Sequence, residues 1–176
     1  MEWEIRDSVY EFECPWFKIR KDKVKLPTGL EVPDFYIQET SDWVNVIAIT
    51  TEGEFIIEEQ YRHGLGKVVY EICAGVVEKG ESPLDAAKRE LKEETGYGNG
   101  VWSQIGVYSP DSNRQTNLSY SFLAKGVSVV GNPHQEETEN IKVHLLSESE
   151  VKDLLVSGRI VEGVMAAPLW RFLATK

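Results

Sequence analysis

Apolar positions along the chain recur with two different periods, and the changes of period mark the elements. Residues 17–26 and 32–39 carry strand patterning on either side of Pro27-Thr28-Gly29, a triplet with turn chemistry, so they predict a hairpin. Residues 44–50, VNVIAIT, form a continuous run rich in branched side chains, which predicts a strand covered on both faces. Glu52-Gly53 turns the chain into a strand over 55–61, and 68–73 predicts another. The first helical period starts at Ser82-Pro83. Ser82 can cap it, Pro83 suits the first helical position, and Asp85 follows the cap by three. Ala86, Ala87 and Leu91 give its apolar stripe, and Gly96 stops it. Strands follow over 101–108, 118–125 and 141–146. Ser147 with Glu150 makes a capping box that opens a helix to about Val156, and 161–174 predicts a last helix. Strands mixed with a few helices predict a layered α/β or α+β fold.

Composition narrows the class. The 176 residues suit one domain. With 41% apolar and 27% charged residues, a disordered chain, a collagen-like repeat and a disulfide-stapled miniprotein are excluded. Acids outnumber bases 29 to 19, for a net charge of −10. An even spread of that charge repels nucleic acid and anionic membranes, so neither is an expected partner. A phosphorylated ligand then needs metal ions or clustered arginine. Cys14 and Cys73 read as unpaired thiols. The N-terminus lacks the pattern of a signal peptide, and no apolar run approaches the roughly 20 residues of a membrane span, so a cytoplasmic protein is expected.

The chemistry concentrates in residues 75–97, GVVEKGESPLDAAKRELKEETGY. Glu90 and Glu94 are four apart and share one helix face, with Glu93 beside them. Such a face is either solvated, with Arg89 partly neutralising it, or a site for a divalent cation, because hard ions take carboxylate oxygens. The spacing of Gly75, Glu81, Arg89, Glu90, Leu91, Glu93, Glu94, Gly96 and Tyr97 resembles the Nudix box, with Tyr97 aromatic where an aliphatic residue is usual. That resemblance implies an α/β/α sandwich with mixed β-sheet, here with an added N-terminal β-hairpin segment. It also implies hydrolysis of a nucleoside diphosphate linked to another group, with Mg²⁺, or Mn²⁺, as cofactor. Glu90 and Glu94 are then the principal metal ligands. Glu93 ligates an ion or holds a metal-bound water, and Ala74 offers its backbone carbonyl. Arg89 holds the carboxylates in place and Glu81 braces the loop.

Residues outside the box resemble the branch that contains ADP-ribose pyrophosphatases and other nucleoside-diphosphate-sugar hydrolases. Glu59-Gln60-Tyr61-Arg62 and then Glu71, shortly before the box, carry this resemblance. It implies that Arg62 binds a phosphate or stacks near the base and that Glu71 binds substrate. Read from the residues alone, Arg62 suits a surface ion pair and Glu71 a strand position facing water. In the stretch 136–143, Glu139 matches the catalytic loop Glu of relatives, and Glu136 and Glu137 lie near enough to exchange roles with it; a solvated acidic loop is the alternative. Glu139, Glu137, Glu93 and Arg89 are thus the catalytic candidates. Arg114 or Asn113 are candidate substrate contacts near Pro110-Asp111, where relatives carry Pro-Gly. The implied activity gives a nucleoside monophosphate and a sugar phosphate from ADP-ribose or a related nucleoside diphosphate sugar. The alternatives are a GDP-sugar, a dinucleotide or an oxidised nucleotide as substrate, or a nucleotide-sugar sensor without catalysis, against which the complete Glu90, Glu93, Glu94 set speaks. Residues 1–40 read as a strand segment carrying Trp3, Tyr10, Phe12, Trp16, Phe17, Phe35 and Tyr36, and 41–176 as the hydrolase domain. Relatives in this branch pair through such segments, so a homodimer is expected.

Overall fold

Three strands open the chain: β1 (Glu4–Glu13), β2 (Phe17–Lys25) and β3 (Glu31–Thr40), antiparallel in the order β1-β2-β3. β2 and β3 are the expected hairpin, and β1 is an addition that the pattern did not predict. All ten residues of β1 are exposed, so no buried face imposes the alternation by which a strand is recognised. Cross-strand charge pairs mark its register instead, Glu13 with Lys18 at 2.7 Å and Glu11 with Lys21 at 2.5 Å. The computed structural model describes residues 1–135, 138 and 140–175 and falls into two units. The first takes in residues 1–42 and 109–118. There the N–H of Gln38 donates to the Arg114 carbonyl at 2.7 Å, and the Asp42 carboxylate accepts the Leu118 N–H at 2.8 Å.

The second unit, residues 43–108 and 119–176, holds the mixed sheet. Its elements are β4 (Trp43–Thr50), β5 (Phe55–Arg62), β6 (Lys67–Glu71), β7 (Cys73–Val76), α1 (Pro83–Thr95), β8 (Tyr97–Gly98), β9 (Val101–Tyr108), β10 (Ser119–Val129), β11 (Lys142–Leu146), α2 (Glu148–Val156) and α3 (Gly163–Ala174). The main path runs β11-β5-β4-β10-β8, with β6 on β5, β7 on β4 and β9 on β10. The β4–β10 pair is parallel and the other pairs are antiparallel.

Alternation along β4 and β5 divides the core. Val44, Val46, Ala48 and Ile56 pack with Ala86, Ala87 and Leu91 of α1. Ile47, Phe55 and Ile57 pack with α2 and α3 through Val151, Leu155, Met165, Leu169 and Phe172. Helices cover both faces, which is why the β4 run is continuously apolar. None of the described helices is long and apolar enough to cross a membrane.

One polar contact crosses this core. Pro168 lies inside α3 and has no N–H for the carbonyl of Val164, four residues back. Asn45 of β4 supplies the missing donor: its Nδ2 bonds that carbonyl at 3.0 Å and the Ser119 hydroxyl at 3.0 Å.

Candidate active site

The helix α1 presents the carboxylates because its ends are fixed. The Ser82 hydroxyl accepts the Asp85 N–H at 3.2 Å, and Gly96 closes the helix at φ 75°, its N–H bonding the Lys92 carbonyl. Arg89 organises the outer face. Nε and Nη2 donate to the two oxygens of Glu81, each at 3.0 Å, as a fork on a carboxylate. Nη1 reaches Glu90 at 2.8 Å and Glu93 at 3.2 Å, and Nη2 also bonds the Val76 carbonyl at 3.0 Å. Those bonds, led by Glu81, raise Arg89 above its ordinary pKa, while Arg89 lowers that of Glu81. Glu81 in turn accepts the Glu78 N–H at 3.2 Å and ties the loop before α1. On the strand side, the Ala74 N–H donates to Glu94 at 3.3 Å. A Cβ on Gly75 would overlap the carboxyl of Glu90, so only glycine lets β7 approach α1 this closely.

These parts surround a polar cavity of about 460 Å³. Arg62, Ala74, Glu90, Glu93 and Glu94 line it with Arg89, as do His134 and Thr138 from the following loop. Glu139 and Glu137, the loop carboxylates singled out in the sequence, lie outside the described residues. Arg114 belongs to the other unit. Glu71 corrects one expectation: it is buried rather than facing water. The β5–β6 register sets it opposite Glu58, and Arg62, four residues further along β5, reaches back to it: Nε and Nη2 bond its carboxylate at 2.9 and 2.5 Å, and Gln60 adds a bond at 3.1 Å. Arg62 is therefore half-buried and locked on a buried partner, not a mobile surface pair. One edge of its guanidinium stays available, because Nη1 has no partner among the described residues.

Behind the cavity sits a group that sequence reasoning missed. Glu58 shares its β5 face with Ile56, and that face meets α1. Its side chain is 1% exposed, and one oxygen of each of Glu58 and Glu94 and the Cys73 sulfur lie within 4.8 Å of one another. Oε1 of Glu58 is sealed from solvent with no hydrogen-bond partner among the described residues. Burial, followed by the charges of Glu94 and Glu71, pushes Glu58 well above the usual carboxylate range, with Arg62 opposing. Burial, followed by the charges of Glu94 and Glu58, pushes the Cys73 thiol up as well.

The NUDIX domain family model matches residues 41–162. The chain belongs to the Nudix family. Among similar proteins, the ADP-ribose pyrophosphatase of Bacillus subtilis is 31% identical over 82% of this chain and 78% of its own length. The methanol dehydrogenase activator of Bacillus methanolicus is 38% identical over 63% of this chain, a match that spans 60% of that protein. A solved structure described as an ADP compounds hydrolase superposes with a TM-score of 0.85, covering 99% of this chain and 94% of that one at 17% identity, which shows the shared fold. This is therefore a Nudix hydrolase, with the family's α/β/α architecture.

The donors of the Nudix box fit a hard divalent cation. Glu90, Glu93 and Glu94 offer carboxylate oxygens around one cavity, and behind it Glu58 adds a buried oxygen without a hydrogen-bond partner among the described residues. Removing the Glu58 acid should expose this crowding. A carboxyl raised in the folded state stabilises fully below its unfolded value near 4.5, and that stability is lost as pH rises towards the raised value. Glu58→Gln does not titrate. Without divalent cations, its Tm relative to wild type should climb by a few degrees as pH goes from 5 to 7.5. Thermal scans at the two pH values read this, and a constant difference would show that Glu58 ionises normally in the fold.

Proposed function

We propose that this Nudix hydrolase cleaves the diphosphate linkage of ADP-ribose or a closely related nucleoside diphosphate sugar. Water adds to one phosphorus, the bridging oxygen leaves with the other, and the products are a nucleoside monophosphate and a sugar phosphate. The observation that carries this reading is the convergence of the three box carboxylates and Arg62 on one polar cavity. The names of relatives such as the Bacillus subtilis enzyme support the substrate class.

In this reading Glu90, Glu93, Glu94 and the Ala74 carbonyl hold Mg²⁺, with Mn²⁺ as a substitute. When bound, the ion neutralises charge that builds on the diphosphate and makes a bound water more acidic. The chain's own groups do the rest. Arg89 keeps Glu90 and Glu93 oriented. The available Nη1 edge of Arg62 donates to a phosphate oxygen, and Glu71 fixes the plane of that guanidinium. Glu139 takes the proton from the attacking water, with Glu137 as the alternative. A panel of ADP-ribose, GDP-mannose, UDP-glucose, a dinucleotide and a nucleoside triphosphate, with and without Mg²⁺, tests the function. ADP-ribose should have the highest kcat/KM, and Glu139→Gln should lower kcat with KM little changed. A higher kcat/KM for any other member would transfer the assignment to it.

The reading extends to assembly. Residues 1–40 form the contact between two copies and 41–176 the hydrolase domain. Support comes from the exposed Trp3, Tyr10, Phe12 and Trp16. A monomer in light scattering at micromolar concentration would overturn the dimer.

A further inference from the structure

Behind the box carboxylates, three donors of mixed chemistry meet from three elements. Glu58 comes from β5, Cys73 from the start of β7 and Glu94 from the last turn of α1. Pairing of β7 with β4 sets Cys73 opposite Val46, and its side chain joins the apolar layer of Val44, Ile56 and Leu91. Exposure is 1% for Glu58, 0% for Cys73 and 3% for Glu94. The sulfur and one oxygen of each carboxylate lie within 4.8 Å of one another. Glu58 still has an oxygen, Oε1, that is sealed from solvent with no hydrogen-bond partner among the described residues. Only Glu94 of the three belongs to the Nudix box; Glu58 and Cys73 stand outside its pattern. A buried acceptor without a donor, beside a thiol and a second carboxyl, has the chemistry of a cation site rather than of a core.

We propose that Glu58, Cys73 and Glu94 form a second cation position, selective for a thiophilic divalent ion such as Zn²⁺, and that an ion bound there draws Glu94 away from the Mg²⁺ site. Sulfur decides the ion. Mg²⁺ takes oxygen donors and gives up its water reluctantly, so a dry pocket with a thiol disfavours it. Zn²⁺ and Cd²⁺ accept thiolate and carboxylate together. Zinc–sulfur bonds are about 2.3 Å and zinc–oxygen bonds about 2.0–2.2 Å, so donors already this close need only a small closing movement to share one ion. The thiol proton leaves to solvent and the sulfur binds as thiolate, with no change of oxidation state. The way in is the polar cavity, which Glu94 lines together with Ala74, the residue after Cys73. Glu94 is thus common to both positions. Turned inward onto a thiophilic ion, it leaves the geometry that Mg²⁺ needs at the diphosphate. This last consequence rests on the proposed function; the ion position does not.

Cys14→Ser leaves Cys73 as the single thiol, and Cd²⁺ then reports on it through the ultraviolet charge-transfer band of a cadmium–sulfur bond. In that background, one equivalent of Cd²⁺ should give the band. Glu58→Gln should weaken Cd²⁺ binding by roughly tenfold or more, and Cys73→Val by more than about 100-fold, beyond what removing an outer partner of a ligand does. Thermal scans in EDTA check that each variant folds. Absence of the band in the folded Cys14→Ser protein would overturn the site, whatever the other variants do. Cd²⁺ affinity unchanged in Glu58→Gln would also overturn it, since two of the three donors must act together. In excess Mg²⁺, one equivalent of Zn²⁺ should slow ADP-ribose cleavage by the Cys14→Ser protein roughly tenfold. With Cys73→Val added, the rate relative to that variant's own Zn²⁺-free rate should stay near one. Equal inhibition with and without Cys73 would overturn the sharing of Glu94. A chain that shows the cadmium band yet cleaves no nucleoside diphosphate sugar would lose the proposed function and keep the ion position. One that cleaves ADP-ribose and shows no band would do the reverse.

Discussion

Glu94→Gln should fold, keep a Tm at or above that of wild type in the absence of divalent cations, and lose roughly 10²–10³-fold in kcat. The replacement is isosteric, and its amide oxygen can still accept the Ala74 N–H. What it loses is one unit of negative charge at the most buried of the three box carboxylates. That loss has opposite signs for folding and for chemistry. In the fold, Glu94 stands against Glu58, so removing its charge relieves repulsion. In the reaction the same charge is needed to hold a cation at the diphosphate. Steady-state kinetics at saturating Mg²⁺, paired with a thermal scan in EDTA, separates the two effects. Turnover within a few-fold of wild type at saturating Mg²⁺ would remove Glu94 from the ligand set.

Gly75→Ala is expected to lower kcat/KM by about 100-fold while the chain still folds. Gly75 is not in the left-handed region, so alanine fits the backbone there. The obstacle is the Glu90 carboxyl, which occupies the space of the new methyl group. Glu90 cannot simply swing away, because Arg89 holds it at 2.8 Å and is itself locked on Glu81. The carboxylate must shift by the order of an ångström, and the Arg89 bond must stretch with it. A double-mutant cycle identifies the route: in a Glu90→Ala background, the same glycine change should cost little more. Additive losses would mean that Gly75 acts through something other than Glu90. Gly80→Ala is no substitute control, since Gly80 sits at φ 88° and would fail from backbone strain.

The box was legible because every part of it is local. A cap, an i to i+4 spacing and a terminal glycine fall within one helix and its approach, and the structure keeps them. The pairing of Arg62 with Glu71 was not legible, although both residues were singled out. They stand nine positions apart, the β5–β6 register sets Glu71 opposite Glu58, and only the reach of the Arg62 side chain back along β5 makes them partners. Glu58 was missed for a related reason. An acid in a strand reads as facing water unless the opposite face is known to be covered too. Its parity with Ile56 contained the answer, but the crowding arises only when α1 docks. β1 was missed because exposure on both faces erases alternation.

The bond from Asn45 to Val164 makes two distant positions heritable as a pair. Proline at 168 leaves a carbonyl in the core without its helical donor, and Asn45 is the side chain that answers it. A lineage that exchanged Asn45 first would pass through a chain with an orphaned buried acceptor, at a cost of about 1–3 kcal/mol. One that exchanged Pro168 first would regain the helical N–H and leave Asn45 competing for an acceptor already taken. The order of substitution is therefore not free. A descendant that keeps the proline without the asparagine must have recruited another donor to that carbonyl.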